Sequence, residues 1–251
     1  MKRILIPLPT KDFDPTEAAI PWKMLTQAGH AVVFATPDGT KAEADFRMVC
    51  GAGLGPFKKF LMADKNGVSA YKSMHGSPEF DAPIRYAEIG DSNFDGLILP
   101  GGHAPAVKEY LESSVLQEFI AGMMGADKPV GAVCHGVVLV ARSINPATGR
   151  SVLHGRKTTG LPNKMELSAW ALTKLWLGNY YRTYPQTVQD EIIESLASPD
   201  DYFAGPSSIL RDNPDKLERG FTVCDRRYLS ARWPGDIHRF VTEFLLLLEE
   251  N

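Results

Sequence analysis

The sequence predicts an α/β fold in which helices cover both faces of a doubly wound, mostly parallel sheet. Short apolar stretches rich in β-branched residues alternate along the chain with stretches of helical periodicity. The helical stretches carry recognisable caps, and the last of them is amphipathic. Ligands of such sheets bind at the carboxyl ends of the strands, so the turns that follow the strands are the first candidates for a functional site.

The first elements are a strand, a helix and a second strand. Residues 3–8 are apolar and predict a buried strand. Asp14 is a suitable N-cap and Pro15 fits the first helical turn, so we expect a helix over residues 15–28. Residues 30–36 (HAVVFAT) then predict the second strand from their β-branched and aromatic content.

Residues 39–91 have no regular pattern, apart from a short helix expected at 57–63. We interpret this stretch as an irregular insertion over one end of the sheet. The chain contains no internal repeat, linker or low-complexity segment, so a single domain over residues 1–251 is the simplest organisation.

The remaining strands and helices follow in alternation. Residues 95–99 and 129–133 predict two buried strands, and the spacing of Ser114 and Gln117 opens a helix between them. An apolar helix is expected over 135–143. Further helices are expected at 166–176 and 188–196, with a strand pair within 221–232. One face of the final helix carries Ile237, Phe240, Val241, Phe244, Leu245 and Leu248.

Composition excludes several classes of protein. The 27 basic and 30 acidic residues give a net charge of −3, which does not predict a nucleic-acid-binding surface. No apolar segment approaches membrane-spanning length, and the N-terminus lacks the pattern of a signal peptide. Cys50, Cys134 and Cys224 are far apart and form no metal-binding spacing. We therefore expect free thiols in a reducing cytoplasm and no metal.

Cys134 stands at a predicted nucleophile elbow, a sharp turn from a buried strand into a helix. Ala132 and Gly136 supply the small residues that so tight a turn requires two positions on either side. The start of the following helix favours a thiolate, the nucleophilic form of cysteine. A buried structural cysteine is the alternative, with His135 then pointing to solvent. Gly101 and Gly102 end the preceding strand, either as oxyanion donors or as an ordinary turn.

These residues resemble a known family in combination. The segments DPTEAAIPWKMLTQAGHAVVFATPDG (14–39), DGLILPGGHA (95–104) and AVCHG (132–136) are similar to the ThiJ/PfpI superfamily, whose fold is flavodoxin-like and shared with class I glutamine amidotransferases. Within the superfamily, the chain resembles the branch of bacterial heat-shock chaperones and cofactor-free glyoxalase III enzymes.

The resemblance implies roles for individual residues. Cys134 matches the nucleophile, Glu17 the carboxylic acid beside the sulfur, and His135 the histidine that follows the nucleophile. Gly102 matches the oxyanion-hole glycine, with Gly101 beside it and the His135 amide as a further donor. Glu166 stands where the chaperone branch has an aspartate that orients the histidine.

Glu17 has a structural alternative, since it lies three residues after Asp14 and could complete a capping box. Beside a thiolate it would instead have a raised pKa and stay protonated. His103, after the double glycine, is a weaker candidate. His154 and the pair Arg156-Lys157 form a basic cluster that is either an anion site or, more commonly, solvated surface.

The resemblance implies a cofactor-free, cysteine-dependent enzyme acting on small reactive carbonyls such as methylglyoxal, or a related deglycase. Three alternatives stay open: a cysteine hydrolase (peptidase, amidase or hydratase), a non-enzymatic stress chaperone and a thiol redox sensor. The expected partner is a small carbonyl or acyl substrate rather than nucleic acid or membrane. A homodimer is also left open.

Overall fold

The strands form a large central sheet and, apart from it, small two-stranded sheets. The structure, a computed structural model, describes residues 1–207 and 209–250. Within them, seven strands assemble in the order β6-β7-β5-β4-β1-β2-β3, and every neighbouring pair is parallel except β6 with β7. The strands are β1 (Arg3–Pro7), β2 (Ala31–Thr36), β3 (Ile84–Arg85), β4 (Gly96–Leu99), β5 (Val130–Val133), β6 (Thr222–Asp225) and β7 (Tyr228–Ala231). The predicted doubly wound, mostly parallel fold is confirmed.

Helices cover both faces of the sheet. Those of seven residues or more in the described part of the chain are α1 (Pro15–Gln27), α2 (Lys65–His75), α3 (Ser114–Gly125), α4 (Gly136–Arg142), α5 (Asn163–Leu177), α6 (Val188–Ser195) and α7 (Ile237–Glu249). None of the described helices is long and apolar enough to cross a membrane.

The alternation of side chains along β1 divides the core between the two faces. Ile4 and Ile6 point to one face, where they join a cluster that includes residues of α1 and α7. Leu5 points to the other face and joins a cluster built with α3, α4 and α6. The apolar face predicted for the last helix is buried as expected, although Leu245 is only partly covered.

Residues 39–91 are more ordered than the sequence predicted. They contain α2, which packs against α1, and β3, which is the edge strand beside β2. The short helix expected at 57–63 spans only Lys58–Leu61. The lack of helical periodicity has a physical reason: α2 is largely polar and buries few side chains, and β3 is only two residues long.

Two neighbouring strands bring the predicted turns together. β4 and β5 pair in parallel, so Gly101 and Gly102 after β4 lie beside Cys134 after β5. The start of α1 closes against the same edge, where the Asp14 amide donates to the Gly101 carbonyl at 2.9 Å. The carboxyl edge of the sheet therefore collects residues from three distant parts of the chain.

Gly136, the first residue of α4, tests how tightly this edge is packed. A Cβ atom there would lie 2.2 Å from the Leu99 carbonyl oxygen, which belongs to backbone that cannot easily move. We expect Gly136→Ala to lower the free energy of unfolding by roughly 1–3 kcal/mol, measured by urea denaturation.

Gly122→Ala is the matched control, because a Cβ there meets no atom within 4 Å and the position is exposed on α3. It should be neutral or stabilise by up to about 1 kcal/mol, since alanine favours a helix. Equal effects of the two substitutions would contradict the tight packing at Gly136.

Candidate active site

Cys134 occupies the elbow in a strained backbone conformation. Its φ is +57°, in the left-handed region that residues other than glycine rarely adopt. The Cys134 amide donates to the Ala231 carbonyl on β7 at 3.1 Å, which holds the turn to the sheet. The side chain is 7% exposed. Strain of this kind persists only where surrounding structure imposes it, and it is frequent at functional sites.

Glu17 faces the elbow rather than its own helix. It is fully buried, and its Oε2 accepts a hydrogen bond from the Gly101 amide at 2.7 Å. Asp14 alone caps α1, since its Oδ1 accepts from the amides of Thr16 and Glu17 at 2.8 and 3.0 Å. The Asp14 amide, which a capping box would engage, is bonded to Gly101 instead. The structure therefore favours the site position of Glu17 over the cap.

Gly101 is the point at which the site residues converge. A Cβ atom on it would lie 2.7 Å from the His135 amide nitrogen, 2.9 Å from Glu17 Oε2 and 3.0 Å from Cys134 Cβ. Any side chain at this position would separate the carboxyl group from the cysteine. Glycine is thus required here for the approach of the groups rather than for the turn itself.

The backbone amides of Gly101, Gly102 and His135, which were expected as oxyanion donors, differ in their hydrogen-bond partners. The Gly101 amide is already engaged by Glu17, which corrects the expectation that it is a free donor. The amide of Gly102 has no acceptor among residues 1–207 and 209–250. The His135 amide lies against the Cys134 sulfur and lowers its pKa.

Burial dominates the charge state of the two acidic groups. It raises the pKa of Asp14 from 3.8 to about 6. Burial, together with the Asp14 charge, also raises the pKa of Glu17 well above its ordinary range, and the Gly101 amide, the Cys134 side chain and the Arg211 charge offset this only in part. The protonated form of Glu17 is therefore favoured, which is the direction expected from the sequence. Its Oε1 makes no hydrogen bond of good geometry within the described residues.

The thiol of Cys134 is harder to ionise than the elbow alone predicts. Burial raises its pKa well above the ordinary range, and negative charge on Glu17 or Asp14 raises it further. The interaction with the His135 amide lowers the pKa but does not outweigh burial. The expectation of a thiolate produced by the turn itself was wrong, because at 7% exposure desolvation exceeds the helix-terminus effect. The proton must leave when the sulfur reacts.

His135 is placed to take that proton. Its Nδ1 lies 3.4 Å from Cys134 Sγ, and its Nε2 lies 3.1 Å from Thr183 Oγ1. The single Thr183 hydroxyl proton is donated to the His103 carbonyl at 2.8 Å, so Thr183 accepts from Nε2–H. Burial lowers the pKa of His135 to about 3, so the ring is neutral and its Nδ1 lone pair faces the sulfur.

Glu166 has a different role from the one expected. Its Oε2 accepts from the Val188 amide at 2.9 Å and its Oε1 pairs with Arg182 Nε at 3.3 Å. The hydroxyl of Thr183, not a carboxylate, contacts His135 Nε2. The reason is that Glu166 lies on the first turn of α5, where its side chain ties the start of α6 to the segment before it.

The comparisons with known proteins identify the family of the chain. The family described as ThiJ/PfpI family-like matches residues 8–206. The chain belongs to this family. The ThiJ/PfpI resemblance inferred from the sequence is thereby confirmed.

Individual relatives of this ThiJ/PfpI-like chain are distant. An uncharacterised protein of Schizosaccharomyces pombe is 28% identical over 149 residues, which cover 56% of this chain and 54% of that protein. Deglycase PfpI of Pyrococcus furiosus is 24% identical, covering 96% of this chain and 97% of the relative. The crystal structure of glyoxalase III from Candida albicans superposes with a TM-score of 0.67 at 18% identity, covering 98% of this chain and 97% of that one. This last likeness establishes the fold.

Several residues around the ThiJ/PfpI-like site have little distinguishing pattern in the sequence. The His103 ring stacks on the Tyr181 ring, with the ring centroids 4.4 Å apart. The Arg211 charge lowers the pKa of both Asp14 and Glu17, while its own Nη1 is buried without a hydrogen-bond partner in the described part of the chain. Of these, only His103 had a cue, from the double glycine before it.

No group of three or more His, Cys, Asp or Glu side chains that could hold a metal ion occurs among residues 1–207 and 209–250. A thiol, a neutral imidazole and a carboxylic acid come together at the elbow. These groups suit nucleophilic addition coupled to proton transfer.

Asp14 offers a test of the buried acids through stability. In the folded chain, Asp14 keeps its proton up to about pH 6, whereas in the unfolded chain it loses the proton near pH 3.8. Asp14 therefore lowers the free energy of unfolding as pH rises between those values. The loss amounts to at most about 3 kcal/mol. Asp14→Asn keeps a capping oxygen but removes the charge. We expect it to be more stable than wild type at neutral pH and similar below about pH 4, measured by urea denaturation.

Asp14→Ala separates charge from capping. It removes the same charge but also the cap, so its gain at neutral pH should be smaller by about 1 kcal/mol. If Asp14→Asn shows the same fall in stability with pH as the wild type, the buried charge of Asp14 is not the cause.

Proposed function

We propose that this protein is a cofactor-free, cysteine-dependent enzyme that converts small 2-oxoaldehydes such as methylglyoxal into 2-hydroxy acids. The observation that carries the proposal is the convergence of Cys134, Glu17 and His135 around Gly101, where no side chain separates them. The names of two relatives, a deglycase and a glyoxalase III, support an activity on reactive carbonyls.

The first step is addition of the thiol to the aldehyde. The Cys134 sulfur forms a bond to the aldehyde carbon as its proton passes to Nδ1 of His135, 3.4 Å away. The carbonyl π bond breaks, and its oxygen takes the proton of Glu17. The product is a hemithioacetal, and Glu17 is now a carboxylate.

The second step moves a hydrogen between adjacent carbons. The Glu17 carboxylate removes the proton from the carbon bonded to sulfur, and the electron pair forms an enediol as His135 protonates the ketone oxygen. Glu17 then returns its proton to the second carbon while the first hydroxyl gives its proton back to His135, which leaves a thioester. The raised pKa of Glu17 suits this double role, because its carboxylate is a stronger base than an exposed one.

Hydrolysis of the thioester completes the cycle. Water attacks the acyl carbon and gives a proton to the Glu17 carboxylate. The carbon–sulfur bond breaks as His135 returns its proton to the sulfur, so the Cys134 thiol is regenerated with release of a hydroxy acid. Negative charge on the oxygen in this step would be stabilised by the Gly102 amide, which has no acceptor among the described residues, and by the His135 amide. No oxidant or reductant is needed, since the hydrogen shift is internal.

Consumption of methylglyoxal without glutathione, with lactate as product, tests the proposal. Cys134→Ala should abolish the reaction, and Glu17→Gln should lower kcat by about 10²–10⁴-fold because it removes the proton shuttle. Cys224→Ala is the matched control, since Cys224 is an exposed free thiol on β6 and should leave the rate unchanged. Activity that survives in Cys134→Ala would overturn the mechanism.

Thr183 is proposed as a positioning residue that fixes the tautomer of His135. Thr183→Val keeps the shape of the side chain but removes the acceptor of Nε2–H, so kcat should fall by about ten-fold and the pH profile should shift as the imidazole loses its fixed orientation. Thr183→Ser restores the hydroxyl and should recover the wild-type profile. A uniform loss in both variants, with no change in pH profile, would indicate a packing role instead.

The cysteine hydrolase stays a second candidate, because the thioester step needs the same nucleophile and the same oxyanion donors. Product analysis separates the two, since a hydrolase would consume acyl compounds and not methylglyoxal. The chaperone hypothesis has its own support in exposed apolar side chains on α5, among them Leu172, Leu175 and Trp176. Such an activity would not depend on Cys134. The redox-sensor hypothesis is the least supported, since burial raises the pKa of the thiol.

A further inference from the structure

A cavity lies at the edge of the sheet opposite to Cys134. It has a volume of about 360 Å³ and sits between the small hairpin that follows α4 and the turn that joins β6 to β7. The helix α4 runs from the elbow back across the sheet, and Tyr228 after that turn pairs with the first residue of β5. The cavity is therefore separated from the reacting groups by the length of α4.

Positive charge converges on this cavity. Arg150, Arg156 and Arg226 line it, and none of the ion pairs among the described residues joins Arg150 or Arg156 to a carboxylate. Both oxygens of Asp225 are engaged, one by Arg226 Nε and one by the Lys157 amide, each at 2.8 Å. Arg156 reaches only the backbone carbonyl of Asp225, at 3.2 Å.

The guanidinium groups of Arg156 and Arg226 are close enough to repel each other. Burial and the charge of Arg226 lower the pKa of Arg156, and Asp225 and Asp127 counter this only in part. Like charges held together around an empty space favour an anion between them. The guanidinium fork is also the side chain best matched to phosphate oxygens.

The polar side chains of the cavity are oriented as donors. Asn145 Oδ1, Thr148 Oγ1 and Ser151 Oγ each accept from the backbone amide two residues further along, at 2.9, 3.3 and 3.1 Å. Their acceptor capacity is thus turned to the backbone, while the Asn145 amide group and the two hydroxyl protons remain to donate to a ligand.

His154 also offers a donor, because its acceptor nitrogen is occupied by Arg150. Arg150 Nη1 lies 2.8 Å from its Nε2. A guanidinium can only donate, so Nε2 accepts and the imidazole carries its proton on Nδ1. The basic cluster that the sequence showed at His154 and Arg156 is therefore part of a cavity lined by donors and cations.

We propose that this cavity binds a small molecule that carries a phosphate monoester. A phosphate dianion offers three terminal oxygens to donors that come from several directions, which a carboxylate with two oxygens does not match. The volume of about 360 Å³ is that of a small-ligand site, and its concave shape fits a discrete molecule better than a flat polyanion. The ligand is distinct from the carbonyl substrate, because the two sites lie at opposite edges of the sheet.

Calorimetric titration with glycerol 3-phosphate, with glycerol as the uncharged comparison, tests the proposal. Wild type should bind glycerol 3-phosphate saturably at one site and should not bind glycerol. Arg150→Gln combined with Arg226→Gln should weaken binding by about ten-fold or more, because the double variant loses two charged hydrogen-bond donors to the phosphate. Both arginines are exposed, so the double variant should fold and keep its methylglyoxal activity.

Arg85→Gln is the matched control, since Arg85 is an exposed arginine on β3 that pairs with Glu88 away from the cavity. It should bind like the wild type. A site-specific readout is the NMR signal of the His154 ring, which should shift as glycerol 3-phosphate is added. Absence of saturable binding, equal weakening in Arg85→Gln, or a His154 signal that does not respond would each overturn the proposal.

Discussion

The hydrogen bond from the Gly101 amide to Glu17 Oε2, 2.7 Å long and fully buried, joins the start of α1 to the end of β4 directly beside Cys134. It turns Glu17 away from its own helix and leaves Asp14 as the only cap that α1 requires. It also takes the Gly101 amide out of the set of oxyanion donors. This one contact therefore explains where Glu17 lies, why residue 101 is a glycine and why the Gly101 amide is not a free donor.

Burial at this contact determines the electrostatics of the site, and the Gly101 amide offsets it only in part. A carboxyl group buried at this position is stable mainly in its protonated form, and Asp14 beside it increases the cost of ionisation. Arg211 lowers that cost for both acids without a direct hydrogen bond to either in the described chain. The raised pKa values of Glu17 and of the Cys134 thiol therefore favour the protonated form of both groups.

Much of the fold and of the site was predicted from local patterns in the sequence. The strands other than β3, the Asp14 cap of α1 and the two turns at the sheet edge depend on residues adjacent in the chain, and these were predicted. The cap of α3 is Ser113, one residue before the predicted Ser114. The partner of His135 was not predicted, because Thr183 lies 48 residues away in an irregular Tyr-rich segment and a threonine there has no distinguishing pattern. Glu166 was misplaced for the opposite reason: a carboxylate at a helix start matched the family pattern, but its contacts are with Val188 and Arg182. The pKa of Cys134 depends on burial, which the elbow motif does not report.

The two edges of the sheet differ in the ligands that they can accept. At the carboxyl edge, the buried thiol lies near Asp14, whose negative charge at neutral pH repels an anion, so a neutral compound enters at lower cost than an anion. At the opposite edge, three arginines and a set of donors favour an anion and offer nothing to a neutral aldehyde. Since α4 begins two residues after Cys134 and ends next to the hairpin beside the arginine-lined cavity, one rigid element connects both. The fold thus separates two kinds of ligand by charge while holding their sites at a fixed distance from each other.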